Sequence, residues 1–138
     1  MLRFSCMTVI AGGLTAFAAA AQNFTTAAEV KPILTAIKPS WIAVREYDGQ
    51  DLLYFTNLLA WRCGVASVSF AINGGVSTPL EMEPCHDDTG QPNALLMETV
   101  QPYIAQPLSS IETVSVTVTF DDATTETGEF DRKAVMTP

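Results

Sequence analysis

The stretch that decides the fold is residues 66–82, ASVSFAINGGVSTPLEM, which runs from Ala66 to Met82. Up to Ile72 the larger apolar side chains occupy even positions and serines occupy two of the odd positions, a pattern typical of a half-buried strand. The Asn-Gly-Gly sequence at 73–75 can adopt the positive backbone φ angles that a hairpin turn needs. This stretch therefore predicts two antiparallel strands that are joined at residues 73–75.

The length of that turn determines which residues face each other. A two-residue loop pairs Ile72 with Gly75 and leaves the apolar face without a partner. A three-residue loop pairs Ile72 with Val76 and Val68 with Leu80, so that apolar side chains meet across the two strands. We therefore expect the three-residue loop.

Continued away from the turn, this register places Ala66 opposite Met82 and Cys63 directly opposite Cys85. Cross-strand neighbours are close enough for a disulfide bond. A metal site is the alternative use of the two cysteines, but their spacing contains no C-x-x-C motif. Pro79 cannot donate a hydrogen bond to a neighbouring strand, which indicates that its strand lies at an edge of the sheet.

The first 21 residues have the layout of a cleaved secretory signal peptide. Arg3 is their only charged residue, an apolar run follows it, and Ala19 and Ala21 form an A-x-A cleavage site. A retained membrane span is the alternative, but the run ends in alanines without a charged stop. We expect a mature domain of residues 22–138 that is periplasmic or secreted. Cys6 leaves with the signal peptide, so an even pair of cysteines remains in an oxidising compartment, where a disulfide is the default.

The composition excludes several classes of protein. The 138 residues include 7 basic and 15 acidic side chains, for a net charge of −8, which disfavours nucleic acid as a partner. Because 48% of the residues are hydrophobic and only 16% are charged, the chain is not expected to be disordered. The length suits one domain. The single histidine excludes a site built from two imidazoles of one chain.

A second hairpin is predicted around Asp48-Gly49, a dipeptide that favours a two-residue turn. The flanking runs are rich in β-branched and aromatic residues, and the turn pairs Val44 with Leu53. Both faces of this hairpin are apolar, which is typical of strands at the centre of a packed sheet. A helix over Asp51–Trp61 is the alternative interpretation.

The rest of the chain adds further strands and one long connection. Residues 111–120 alternate almost strictly between apolar and polar side chains, which predicts a half-buried strand, and a polar edge strand is expected over Thr124–Phe130. A short strand is expected over 134–136, and residues 29–37 fit either a helix or a strand. The connection over 86–109 is punctuated by Gln-Pro pairs, and we expect a short helical turn in it over Asn93–Val100.

These elements predict an all-β fold, a single-domain β-sandwich of about seven short strands with one disulfide and a short helical turn in a long connection. Long connections often carry function, and they also serve as covering loops. We interpret this one as a covering loop.

Potential metal ligands are densest around the second cysteine, at Glu81, Glu83, Cys85, His86, Asp87 and Asp88. A transition metal would use His86 with nearby carboxylates. Zinc and copper sites, however, usually take at least two nitrogen or thiolate ligands from the protein, and Cys85 is assigned to the disulfide. The chain also contains no G-x-S-x-G motif, calcium loop or phosphate-binding loop. We therefore assign no catalytic residue, metal ligand or cofactor.

The aromatic residues offer a second kind of site. Trp41, Tyr54 and Trp61 are expected to lie in the core of so small a domain. If they instead line a binding surface, Arg62 is its best anchor, because aromatic and arginine side chains contribute most of the binding energy at interfaces. Trp61, Arg62 and His86 are thus the candidate surface contacts.

Two segments, Trp61-Arg62-Cys63-Gly64 and Asp88-Thr89-Gly90-Gln91-Pro92-Asn93-Ala94, together with Cys85, resemble small exported proteins of proteobacteria that are functionally uncharacterised. The resemblance covers most of the mature chain. It implies a periplasmic location, and it implies no activity and no functional residues.

The sequence favours an exported, non-catalytic binding or accessory module whose partner is another protein or a small ligand. Two alternatives stay open. One is a small periplasmic enzyme that uses carboxylates or His86, and the other is a metal-handling protein. A catalytic or metal site predicts ionisable residues that converge in a concave pocket, whereas a binding module predicts an exposed apolar patch or a free strand edge.

Overall fold

The computed structural model describes residues 12–13 and 23–138 of the chain. The signal peptide predicted over residues 1–21 lies outside these ranges, apart from the two glycines at 12 and 13. Within the described ranges, none of the helices is both long and apolar enough to cross a membrane.

Within residues 23–138, seven strands form two antiparallel sheets. The three-stranded sheet has the order β1-β2-β5 and consists of β1 (Ala43–Tyr47), β2 (Gln50–Tyr54) and β5 (Tyr103–Pro107). The four-stranded sheet has the order β4-β3-β6-β7 and consists of β3 (Val65–Ile72), β4 (Thr78–Pro79), β6 (Thr113–Phe120) and β7 (Thr125–Asp131). The predicted all-β fold of about seven short strands is confirmed, and the protein is a small β-sandwich.

The core lies between the inner faces of the two sheets. In β6 the valines and Phe120 are buried while the alternate threonines and Ser115 face outward, as the alternation predicts. Phe55, just after β2, contacts Phe70 of β3 with ring centroids 5.2 Å apart. Side chains from both sheets therefore fill one continuous apolar layer.

The register predicted for the hairpin at residues 73–75 is correct, but the second strand of that hairpin is shorter than expected. Ser69 pairs with Pro79, and the Leu80 N–H donates to the Val68 carbonyl at 2.8 Å. β4 has only two residues, so Ala66 and Met82 form no strand pair. The long neighbour of β3 is β6, and β4 lies at the sheet edge, as its proline indicates.

The predicted disulfide between Cys63 and Cys85 is confirmed, with the two Cα atoms 5.2 Å apart. The chain reaches this position without a continuous ladder, because residues 80–85 have no regular secondary structure. The bond thus joins the middle of a short 3₁₀ segment, Arg62–Gly64, to the residue that precedes the long connection.

The first hairpin has the predicted turn and register. Asp48 and Gly49 both have positive φ, at 51° and 73°, and Val44 pairs with Leu53. The expectation that both strands are central is wrong for β1, which is an edge strand. The helical alternative holds only for a later segment, because β2 ends at Tyr54 and a short helix, α2 (Thr56–Leu59), follows it.

Residues 29–37, which fitted a helix or a strand, lie mostly in a helix, α1 (Ala27–Ala36). Glu29 and Thr26 form its amino-terminal cap, with the Glu29 N–H donating to the Thr26 hydroxyl at 3.3 Å. The helix packs against Gly64, where an added Cβ would lie 2.6 Å from the Thr26 carbonyl oxygen and would also strike Val30. Only glycine permits this close approach.

Two predictions about local structure are wrong. Asn93–Val100 contains no helical turn, because the N–H groups of Leu96 and Met97 donate to the Glu83 carboxylate and so take no part in helical hydrogen bonds. The long connection instead contributes β5. The tail predicted as a strand over 134–136 is mainly a short helix, α3 (Arg132–Val135), followed by a single bridge from Met136 to β1.

A buried ion pair links β2 to α3. Asp51 is fully buried, and its two carboxylate oxygens accept hydrogen bonds from Arg132 at 2.6 and 3.1 Å and from the N–H groups of Ser109 and Ile111 at 2.9 and 3.1 Å. The Arg132 hydrogen bonds, opposed by burial and supported by the two backbone N–H groups, lower the pKa of Asp51 to about 2. The hydrogen bonds from Ser109 and Ile111 to this carboxylate hold the loop between β5 and β6 against the three-stranded sheet.

Candidate functional site

Arg62 is not the surface contact that the sequence analysis proposed, because its side chain is buried with 3% of its area exposed. Its N–H groups donate to main-chain carbonyl oxygens at 2.6–3.2 Å, those of Leu59, Glu83, Pro84, Asn93 and Ala94. All five N–H donors of a guanidinium can be satisfied in this way. Burial lowers the pKa of Arg62, and the Glu83 charge opposes that effect. Arg62 therefore organises the long connection from inside and is unavailable to a partner.

Glu83 is the carboxylate at the centre of the same cluster. It accepts hydrogen bonds from the N–H groups of Leu96 and Met97 at 3.0 and 2.8 Å, and it contacts Arg62 at 3.4 Å. Burial raises the pKa of Glu83, but the hydrogen bonds from Leu96, Met97 and His86, together with the Arg62 charge, outweigh that effect and lower the pKa to about 2. The carboxylate is thus ionised and saturated by donors of its own chain.

His86 is partly buried, with its side chain 21% exposed, and its Nε2 is hydrogen-bonded to the Glu83 carboxylate. The Asp87 carboxylate lies 3.1 Å from the disulfide sulfur of Cys85, which has no proton to donate, and it does not bond to the imidazole. In the part of the chain that the structure describes, no three histidine, cysteine or acidic side chains converge as a metal site would require. This cluster therefore acts as a support for the connection.

The three aromatic residues singled out from the sequence have different positions. Trp41 is fully buried in the core, and its indole N–H donates to the Leu34 carbonyl at 2.8 Å. Trp61 is half-buried and packs edge-on against Phe24, with ring centroids 5.1 Å apart. Tyr54 is not a core residue, because it lies on the outer face of the three-stranded sheet.

All three tyrosines of the chain, Tyr47, Tyr54 and Tyr103, lie on that outer face. They come from β1, β2 and β5 respectively. Tyr54 and Tyr103 are paired across neighbouring strands, with ring centroids 5.2 Å apart, whereas Tyr47 is 56% exposed at the opposite end of the sheet. We call this surface the tyrosine face.

The tyrosine face contains a shallow trough of about 380 Å³. Its floor is the row Arg45, Leu52 and Ala105, which the register aligns across the three strands. Leu52 is only 7% exposed on this floor, and the Arg45 guanidinium lies over the Tyr47 ring at 4.7 Å from its centroid. The trough is thus an apolar floor between aromatic walls, with a cation at one end.

Apart from the contact between Arg45 and the Tyr47 ring, the polar side chains around the trough are not engaged by the described part of the protein. Within residues 23–138, the side chains of Arg45, Gln50 and the three tyrosines form none of the side-chain hydrogen bonds found elsewhere in the structure, and Arg45 has no ion-pair partner. The four-stranded sheet differs, because its outer threonines and serines bond to one another and to glutamates. The trough therefore keeps its hydrogen-bonding capacity for solvent or a ligand.

The sequence predicts the two strands that carry Tyr47 and Tyr54, but it does not indicate that their outer face is a site. The sequence predicts that the hairpin around Asp48-Gly49 is apolar on both faces, and its outer face carries Tyr47, Tyr54 and Leu52. This pattern predicts central, covered strands, whereas in the structure the outer face is open to solvent. The sequence does not predict that Tyr103 lies on this face, because no local pattern indicates that β5 pairs with β2.

Comparison of the chain with protein-family models, with curated proteins and with solved structures finds no match.

Proposed function

We propose that this protein is an exported, non-catalytic binding module and that its ligand lies on the tyrosine face. The single observation that carries the proposal is the concentration of all three tyrosines on one open sheet face around Arg45. Tyrosine and arginine are the residue types that contribute most at binding surfaces, because each offers a large flat area and a polar group at modest entropic cost.

The ionisable clusters support binding over catalysis. A general acid or base needs a free position within hydrogen-bond reach of a substrate. The carboxylates of Asp51 and Glu83 are instead saturated by Arg132, Arg62 and backbone N–H groups, and both are buried. Their low pKa values keep them in the ionised form that these donors stabilise.

Export is supported by two features. The disulfide between Cys63 and Cys85 is of the kind that persists in oxidising compartments, and the sequence before residue 22 has the layout of a signal peptide. A binding module in the periplasm or outside the cell then meets small solutes, polysaccharides and other exported proteins.

The proposal is tested with the oxidised, ¹⁵N-labelled protein and a panel of oligosaccharides and short peptides in solution. We expect ligands that bind to shift the amide resonances of β1, β2 and β5 and to leave β6 and β7 unchanged. A Tyr47→Ser, Tyr103→Ser double variant should lose the effect, since both residues are exposed and their removal spares the core. A matched control is a Thr117→Ala, Thr127→Ala variant on the other sheet, which should bind as the wild type does.

Shifts that cluster around His86 and Gln91, or binding that the tyrosine double variant retains in full, would show that the ligand lies elsewhere. A panel in which no compound shifts β1, β2 or β5 would count against the proposal as a whole.

A further inference from the structure

We propose that the ligand of the tyrosine face is an oligosaccharide of uronic acids, whose sugar rings lie on the aromatic walls of the trough and whose carboxylate pairs with Arg45. This inference rests on the proposed function and specifies its ligand. It is carried by two features of the trough, an unpaired cation and flat aromatic surfaces on either side of an apolar floor.

The first argument is charge complementarity. In the described part of the chain, four of the other basic residues pair with carboxylates, namely Lys31, Lys38, Arg62 and Arg132. Arg45 and Lys133 do not, and only Arg45 lines the trough. A planar guanidinium matches a carboxylate with two parallel hydrogen bonds. The free guanidinium in the trough, and not the net charge of the protein, therefore favours a ligand that places a carboxylate beside Arg45.

The second argument is the arrangement of the rings. An aromatic ring carries negative charge on its faces, so it attracts the polarised C–H groups of a sugar ring that lies flat against it. The register places Tyr54 and Tyr103 in one row and Tyr47 two rows away, about 13 Å along the strands. Leu52 and Ala105 form the low floor between the rows. This spacing leaves room for successive rings of an oligosaccharide.

The hydroxyl groups of such a ligand also find partners. Gln50 and Asp48 line the trough, and neither side chain is hydrogen-bonded elsewhere among the described residues. An amide both donates and accepts, and a carboxylate accepts from hydroxyls. Asp48 lies at the turn and repels a ligand carboxylate placed near it, which favours the Arg45 position for that group.

An acidic peptide is the main competitor, and the edge of β5 argues against its binding as an added strand. A peptide that joined the sheet would pair with the free edge of β5. The Phe55 N–H donates to the Pro102 carbonyl, and this bond determines which main-chain groups of β5 point toward β2 and which point toward the free edge. Only Tyr103 and Ala105 therefore direct their main-chain groups to the open edge. Pro102 and Pro107 bound this short segment and donate nothing. Two residues give too little main-chain pairing for a stable added strand.

The test uses trigalacturonate as the probe and its fully methyl-esterified form as the uncharged control, with binding measured by calorimetry and by amide shifts. We expect the acid to bind at least about tenfold more tightly than the ester, since hydrogen bonds to a charged group are worth that much. An Arg45→Gln variant should lose roughly the same factor for the acid and little for the ester. A Lys133→Gln variant removes the same charge outside the trough and should bind within about twofold of the wild type.

A Tyr54→Leu, Tyr103→Leu variant separates the two parts of the proposal, because it should weaken the acid and the ester alike. Equal binding of acid and ester, or equal losses in the Arg45 and Lys133 variants, would overturn the uronic acid inference. Binding of triglutamate to the tyrosine face without binding of trigalacturonate would also overturn it, while the proposed binding function would stand. If neither probe nor any panel compound shifts β1, β2 or β5, both proposals fail.

Discussion

Replacing Asp51 with asparagine tests how much the buried carboxylate contributes to stability. The lowering of its pKa from 3.8 to about 2 corresponds to roughly 2.5 kcal/mol of folding free energy at neutral pH. Asparagine also replaces one carboxylate oxygen with an NH₂ group, which then faces N–H donors. It further removes the negative charge that pairs with Arg132. We expect the Asp51→Asn variant to lose about 3 kcal/mol, within the range seen when one member of a buried pair is removed.

The loss should depend on pH in one direction. Since the folded-state pKa lies below the unfolded value, the ionised carboxylate stabilises the fold fully above about pH 4, and this contribution disappears as the pH falls toward 2. Protonated aspartic acid and asparagine are nearly isosteric and uncharged. The gap between the wild type and the Asp51→Asn variant should therefore shrink over the same interval.

The assay is urea unfolding at pH 7, 5, 4 and 3, followed by fluorescence of the two tryptophans and by circular dichroism. The control is Glu46→Gln, because Glu46 contacts the same arginine at 2.8 Å but is 48% exposed. An exposed pair contributes less than about 1 kcal/mol. Equal stability of the Asp51→Asn variant and the wild type at pH 7, or a deficit that stays constant from pH 7 to pH 3, would refute the reasoning.

Three further outcomes follow from the packing around the disulfide. A Gly64→Ala variant should lose about 1–3 kcal/mol in urea unfolding because its Cβ strikes α1, whereas Gly90→Ala, which has open space, should change little. Replacing Cys63 and Cys85 together with alanine should cost about 3 kcal/mol in the same assay, and a loss near zero would contradict the closed-loop argument. A Glu83→Gln variant should exchange the amide hydrogens of residues 96 and 97 faster while those of β6 keep their protection, and unchanged rates would show that the carboxylate does not hold them.

The parts of the fold that the sequence predicts are those set by neighbours in the chain. Turn dipeptides fix the positive φ angles at Asp48 and Asn73, and alternation fixes the buried face of β6, so these local elements follow from residue types alone. The disulfide is also predicted correctly, although the strand pairing beside residues 73–75 is short and the chain reaches Cys85 without a continuous ladder. Each of these predictions needs only a short stretch of sequence.

The parts that fail depend on residues far apart in the sequence. Arg62 is buried only because carbonyl groups about 20 to 30 positions later converge on it, and an arginine with no such partners would be exposed. Leu96 is not helical because Glu83 captures its N–H. Tyr103 joins the tyrosine face because β5 pairs with β2 across about fifty residues. No local pattern carries this information.

The edge strands of both sheets are protected against pairing with other copies of the protein, which matters because the tyrosine face is exposed. Met136 bridges the free side of β1, Pro79 ends the two-residue β4, Pro102 and Pro107 bound β5, and Glu129 places charge on β7. Blunt or charged borders of this kind discourage intermolecular β-pairing and the growth of fibrils. These borders therefore oppose strand pairing between two copies that meet through the three phenol rings.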